Sequence, residues 1–259
     1  MPFVTRLQPI RNEWVKLTPA WRRRLLLLLA ADLLLLLLHT AHFLHLLPDP
    51  RFSVETDGGF AEIFQYGKEL FVMLAFAGLA LARREPHFAV WAALFAFVLA
   101  DDWLMLHEQA GAVLASRYTL LVPGLRGRDV GELLFAALMG AALLPLLAFT
   151  YWRADRAVRR DGRIAAALVA LLAGCGIGLD LLHQALYRTP FFVPAGMAED
   201  GGEMLAMTLL VVWVGSLYAG RAATAAVSST AGRSSGLYPN RASAQSKPAP
   251  AGVVSPPRR

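Results

Sequence analysis

Residues 22–47 read RRRLLLLLAADLLLLLLHTAHFLHLL, and the class of fold follows from them. A helix needs about 20 consecutive apolar residues to cross a bilayer. The run from Leu25 to Leu47 exceeds that and is broken mainly by Asp32, His39, His42 and His45. It is too long for the 7–15 residue apolar region of a signal peptide, and no Ala-x-Ala site follows, so a retained helix is expected. Three arginines stand directly before it, as they do on the cytoplasmic side of a membrane span.

Five more segments of about that length follow, at 61–82, 88–112, 131–152, 164–187 and 200–220. The whole chain of 259 residues is 56% hydrophobic and 17% charged, with a mean hydropathy of +0.48. A soluble domain is about 25% charged. These values exclude a soluble enzyme, a secreted disulfide scaffold and a nucleic-acid module, despite a pI near 9.9. One cysteine, Cys175, rules out an intramolecular disulfide and a thiolate metal site. The fold class predicted is all-α, an integral membrane bundle of six transmembrane helices, N-in/C-in.

Orientation comes from the basic residues. Residues 1–24 carry six Lys/Arg, 83–87 two, 153–163 five and the tail from Arg221 six, which is 19 of 25. By the positive-inside rule these segments are cytoplasmic, and an even number of spans follows. The chain therefore divides into a basic cytoplasmic segment (1–24), a six-helix transmembrane domain (25–220) and a cytoplasmic tail (221–259). The tail is rich in Ala, Ser, Pro and Arg without apolar periodicity, and disorder is expected there. Arg outnumbers Lys 22 to 3, a bias of GC-rich bacterial genomes, which gives a bacterial inner membrane as the location.

With that orientation, 14 of 19 acidic residues fall in external loops or the outer halves of helices, joined by five of six histidines. Helical spacing groups them. Glu62, Gln65, Tyr66 and Glu69 share an arc of about 100° on the second span. Asp180, His183, Gln184 and Tyr187 share one on the fifth, and Glu199, Asp200 and Glu203 one on the sixth. On an unbroken third helix, Asp101 and Glu108 nearly superimpose and His107 points away. An ionisable group at mid-bilayer costs about 2.5–3.5 kcal/mol. An outward polar chamber follows, in which acids outnumber bases and a proton, a metal ion or a cationic substrate supplies the balance.

Imidazole and carboxylate suit zinc first, then iron or manganese. Asp101, Asp180, His183, Glu199 and Glu203 are the metal-ligand candidates, with Asp102 and Glu108 as acid–base residues for metal-dependent hydrolysis of a lipid or an external-side substrate. His39, His107 and Glu69 stand behind them. Haem between His107 and His183 is opposed by the surrounding acids. Two other readings compete with hydrolysis. One is proton or cation translocation, which needs Asp32. The other is a purely structural bundle, in which Glu62, Asp129, Glu132, Glu199 and Asp200 answer helix dipoles. Gly174 and Gly178 form a GxxxG pair for close helix packing. Membrane lipids, and a lipid-like or cationic small molecule, are the expected partners, with no nucleic acid.

The segments Asp101-Asp102-Trp103-Leu104-Met105-Leu106-His107-Glu108 and Glu199-Asp200-Gly201-Gly202-Glu203-Met204 resemble motifs of uncharacterised bacterial multi-spanning proteins. Those proteins pair an Asp-Asp/Glu…His-Glu helix with a later Glu-x-x-Glu-Met segment. The resemblance implies that these positions belong together, and it implies no activity.

Overall fold

A computed structural model describes residues 17–119, 122 and 125–236, with side chains to 220. It is 84% helix. Six helices are long and apolar enough to cross a membrane: α1 (Pro19–Phe43), α2 (Phe60–Arg83), α3 (Pro86–Leu104), α5 (Gly127–Arg153), α6 (Arg156–Ala185) and α7, whose span is Phe192–Gly220. A shorter helix, α4 (Leu106–Arg117), lies between α3 and α5. Helix α7 continues to Gly236. The expected disorder of the tail concerns residues 221–259, of which 237–259 lie outside the described residues.

Local chemistry sets the ends. Thr18 caps α1 through its hydroxyl, with Pro19 at the first helical position. Asp155 caps α6 by accepting from the Val158 amide at 2.8 Å. On α5 the Asp129 carboxylate accepts from the Arg126 backbone amide at 2.9 Å and from its guanidinium at 2.7 Å.

Two expected boundaries need correcting. The third span stops at Leu104, because Met105 adopts a left-handed backbone with φ 51°. His107 and Glu108 therefore sit on a new helix, and the expected superposition of Asp101 with Glu108 is lost. The sixth helix starts eight residues before the expected residue 200, at Phe192. Glu199 and Asp200 are then two turns inside α7, beyond the first turn where a helix dipole acts.

The core occupies one end of the bundle. Val72, Phe76 and Leu79 of α2 meet Phe88 and Phe95 of α3, Val158 and Leu168 of α6, and Met207, Leu210 and Val214 of α7. Phe76 is its hub, stacked on Phe88, Trp91 and Phe95 with ring centroids 6.0–6.3 Å apart. At the same end His87 is buried, with Nδ1 3.0 Å from the Thr150 hydroxyl and Nε2 accepting from the Trp91 indole at 3.1 Å. The outer surface is apolar instead of charged: Leu27 is 71% exposed, Leu81 82% and Leu138 63%. Exposed apolar area on this scale marks a lipid- or protein-covered surface. Six such helices fit a polytopic membrane protein.

Candidate functional site

Opposite the core, the first turns of α2 and α7 and the last turns of α3 and α6 enclose a cavity of about 1360 Å³. Thirteen acidic residues line it, against Arg126, Arg128 and two histidines. The common depth read from the sequence is thus present as a single chamber. All seven nominated site residues, Asp101, Asp102, Glu108, Asp180, His183, Glu199 and Glu203, border it, as do Glu69 and His107. His39 does not. Its Nδ1 instead accepts from the Val54 amide at 3.2 Å, pinning the loop that follows α1.

Within the chamber the residues separate into two sets. In the first, Asp101, Asp102 and His107 offer ligand atoms within 4.8 Å of one another. The break at Met105 turns His107 back, so that its amide donates to Asp101 Oδ1 at 2.8 Å and its Nδ1 lies 3.3 Å from the same oxygen. His107 therefore faces Asp101, not away from it. The hydrogen bond to Asp101 raises the His107 pKa to about 8, against the opposing effect of burial. Asp101 serves as the anionic cap of α4 and the partner of an imidazolium.

The second set is Asp180, His183 and Glu199, also within 4.8 Å. His183 is 8% exposed, its Nδ1 lies 2.9 Å from Glu199 Oε2, and its ring packs 4.1 Å from that of Phe192. Its Nε2 is buried without a hydrogen-bond partner among the described residues. Asp180 follows a π-helical segment, Gly174–Leu179. Such a segment re-aims the residues after it and frequently marks a functional site.

Glycines let α7 approach this part of α6, though not the expected pair. A Cβ on Gly174 or Gly178 would meet nothing within 4 Å, so the GxxxG reading is wrong. A Cβ on Gly176 would overlap the Glu203 carboxylate, and one on Gly202 would lie 2.6 Å from Cys175 Sγ. Glu203 is held in that gap, between the second set and Asp102.

Glu55, from the loop before α2, is a member the sequence reading missed. A Cβ on Gly196 would stand 3.1 Å from both Glu55 Oε1 and His183 Nε2, so a loop carboxylate and the histidine both lie against this bare glycine. No periodicity marks a loop residue, and the only signal was its sign of charge.

The cations are committed. Arg126 pairs with Asp129 at 2.7 Å, and Arg128 pairs with Glu132 at 2.8 Å and with Glu108. Glu108 is therefore an ion-pair partner at the rim. Lys68 does not face the chamber: it binds Asp32 at 2.9 Å, and both side chains are under 10% exposed. Glu69 and Asp102 both line the chamber. Tyr66 donates to Glu62 and stacks on Trp103 at 5.9 Å.

No curated protein and no solved structure matches the chain. A family match spans residues 25–219, which takes in all six spans and every chamber residue named above. The chain belongs to the family described as a domain of unknown function, DUF8692.

Proposed function

We propose that this is an inner-membrane protein with both termini cytoplasmic, and that its outward chamber is a metal-dependent hydrolytic site for a lipid or an external-side substrate. The basic residues at the core end of the bundle and the acids at the other support the orientation. One observation carries the metal: a nine-tenths buried His183, fixed by Glu199 beside Asp180, with its second ring nitrogen unpartnered. The nitrogen and oxygen donors suit zinc, then iron or manganese.

A divalent ion held by Asp180, His183 and Glu199 supplies Lewis acidity and a water of lowered pKa. Asp200 follows Glu199 on α7 and lines the same chamber, and it is the carboxyl we assign to take a proton there. Gly196 leaves open the space beside His183 Nε2 and Glu55 Oε1 that a Cβ would crowd. The Asp101–His107 pair and the Glu108–Arg128 pair hold the opposite wall.

Elemental analysis of protein purified without chelators tests this reading. Near-stoichiometric metal is expected, lost in a folded Asp180→Ala/His183→Ala variant and reduced in Gly196→Ala. Asp200→Asn should keep the metal and lose about 10²–10⁴-fold in turnover of any lipid-like substrate found. Metal-free protein after attempted reloading would overturn it.

A further inference from the structure

The chamber is not acidic throughout. Away from the acids it narrows into a crevice between α3, α5 and α6, walled by Phe97, Phe135, Met139, Leu143, Leu172 and Ile177. The Phe97 and Phe135 rings touch across it, with centroids 6.1 Å apart. Leu144 and Ile177, 62% and 40% exposed, belong to the same apolar lining. This lining carries no charged side chain and offers an apolar wall to a hydrocarbon chain.

At the junction of the acidic and apolar parts, two acceptors on α2 lack donors. Gln65 Oε1 and Glu69 Oε2 are buried and without hydrogen-bond partners among the described residues, and both residues line the chamber. They are four residues apart and so lie one helical turn from each other. Glu69 itself is 1% exposed. An unsatisfied buried acceptor costs about 1–3 kcal/mol and more when charged, so a donor is to be expected here. None of the nearby described cations supplies one: Lys68 is turned to Asp32, and Arg126 and Arg128 are engaged at the rim.

We propose that the chamber binds the primary ammonium headgroup of a single-chain membrane amphiphile, with its hydrocarbon chain in the crevice between α3, α5 and α6. A primary ammonium brings one positive charge and three N–H donors. That number serves Glu69, Gln65 and one further carboxylate, Asp102 or Glu203. A quaternary ammonium brings the charge without donors, and a carboxylate or phosphate headgroup meets like charge. This names the substrate class of the chamber. It rests on the chamber being a substrate site and is independent of the metal.

The test uses the full chain in phosphatidylcholine nanodiscs and three probes, each with a nitroxide at mid-chain: octadecylamine, its N,N,N-trimethyl analogue and stearic acid. The motionally restricted component of the electron paramagnetic resonance spectrum gives relative association. The primary amine is expected to bind about tenfold or more better than either analogue, the effect of one charge-assisted hydrogen bond. Gln65→Leu, which deletes an orphan acceptor without creating another, should bring amine and trimethylammonium towards parity. Glu69→Gln should act the same way. Met139→Trp, which fills the crevice, should remove the restricted component for all three.

Parity of the three probes in the unmodified protein would overturn the proposal. So would an amine preference that survives both Gln65→Leu and Met139→Trp. Each titration is run on chelated and on metal-reloaded protein. Amine selectivity without any bound metal would retain this proposal while sinking the metal site, and metal without selectivity would do the reverse.

Discussion

The Asp32–Lys68 pair gives the sharpest energetic expectation. Lys68 Nζ donates to Asp32 Oδ1 at 2.9 Å, to the Met204 carbonyl at 3.0 Å and to Thr208 Oγ1 at 3.4 Å. Thr208 in turn donates to Asp32 Oδ2 at 2.6 Å. All three ammonium protons are used, and both carboxylate oxygens are occupied. Removing one partner of such a pair leaves a buried charge unanswered and costs about 3–5 kcal/mol, whereas replacing both with apolar residues of similar volume is often neutral. Lys68→Met and Asp32→Leu should each destabilise by about that amount, and the double variant by far less than the sum. A double-mutant cycle on reversible unfolding in mixed micelles measures the coupling. Coupling below about 0.5 kcal/mol would mean that the pair is not desolvated as the structure has it. The double variant also bears on translocation, because a proton path through Asp32 would be abolished by it. Amine binding and metal content in the chamber should be unchanged.

Two further outcomes follow. Gly176→Ala should destabilise the protein and displace Glu203, while Gly174→Ala, with nothing within 4 Å of the new methyl group, should be neutral or slightly stabilising; thermal unfolding separates them. His107, whose pKa is raised to about 8 chiefly by its hydrogen bond to Asp101, contributes stability that is complete below about pH 6.5 and lost as pH rises through 8. A melting temperature that falls between pH 6.5 and 9, with the fall removed in Asp101→Asn, would bear this out; a flat profile in the unmodified protein would refute it.

The sequence carried the architecture further than the site. Length and hydropathy are sufficient to find six spans, because a bilayer-crossing helix is a one-dimensional pattern. The polar arcs on α2, α6 and α7 were legible for the same reason: 100° per residue holds as long as the helix does. The errors came where regular helix fails. Met105 breaks the third span within Asp101–Glu108, so residues that a straight helix would separate are brought together, and His107 meets Asp101. The sixth span was started at residue 200, where hydropathy rises, so Glu199 and Asp200 were taken for dipole partners at a helix start. The π-helical turn shifted the register of Asp180, and with it the glycines that pack. Glu55 was hidden because a loop has no period.

These irregularities are not scattered. The left-handed Met105 that ends α3 and the π segment before Asp180 in α6 both lie at the acidic end, whereas α3 and α6 are regular helix where they pack around Phe76. A bundle that needed only to hold together would have no use for this division, because the same helices pack without interruption at their other ends. Each of these two breaks brings titratable side chains together: His107 beside Asp101, and Asp180 beside His183 and Glu199. Such departures cost stability and persist where they position groups for function. The concentration of departures at the chamber, more than the number of acids in it, is the reason to read it as a site rather than as polar packing.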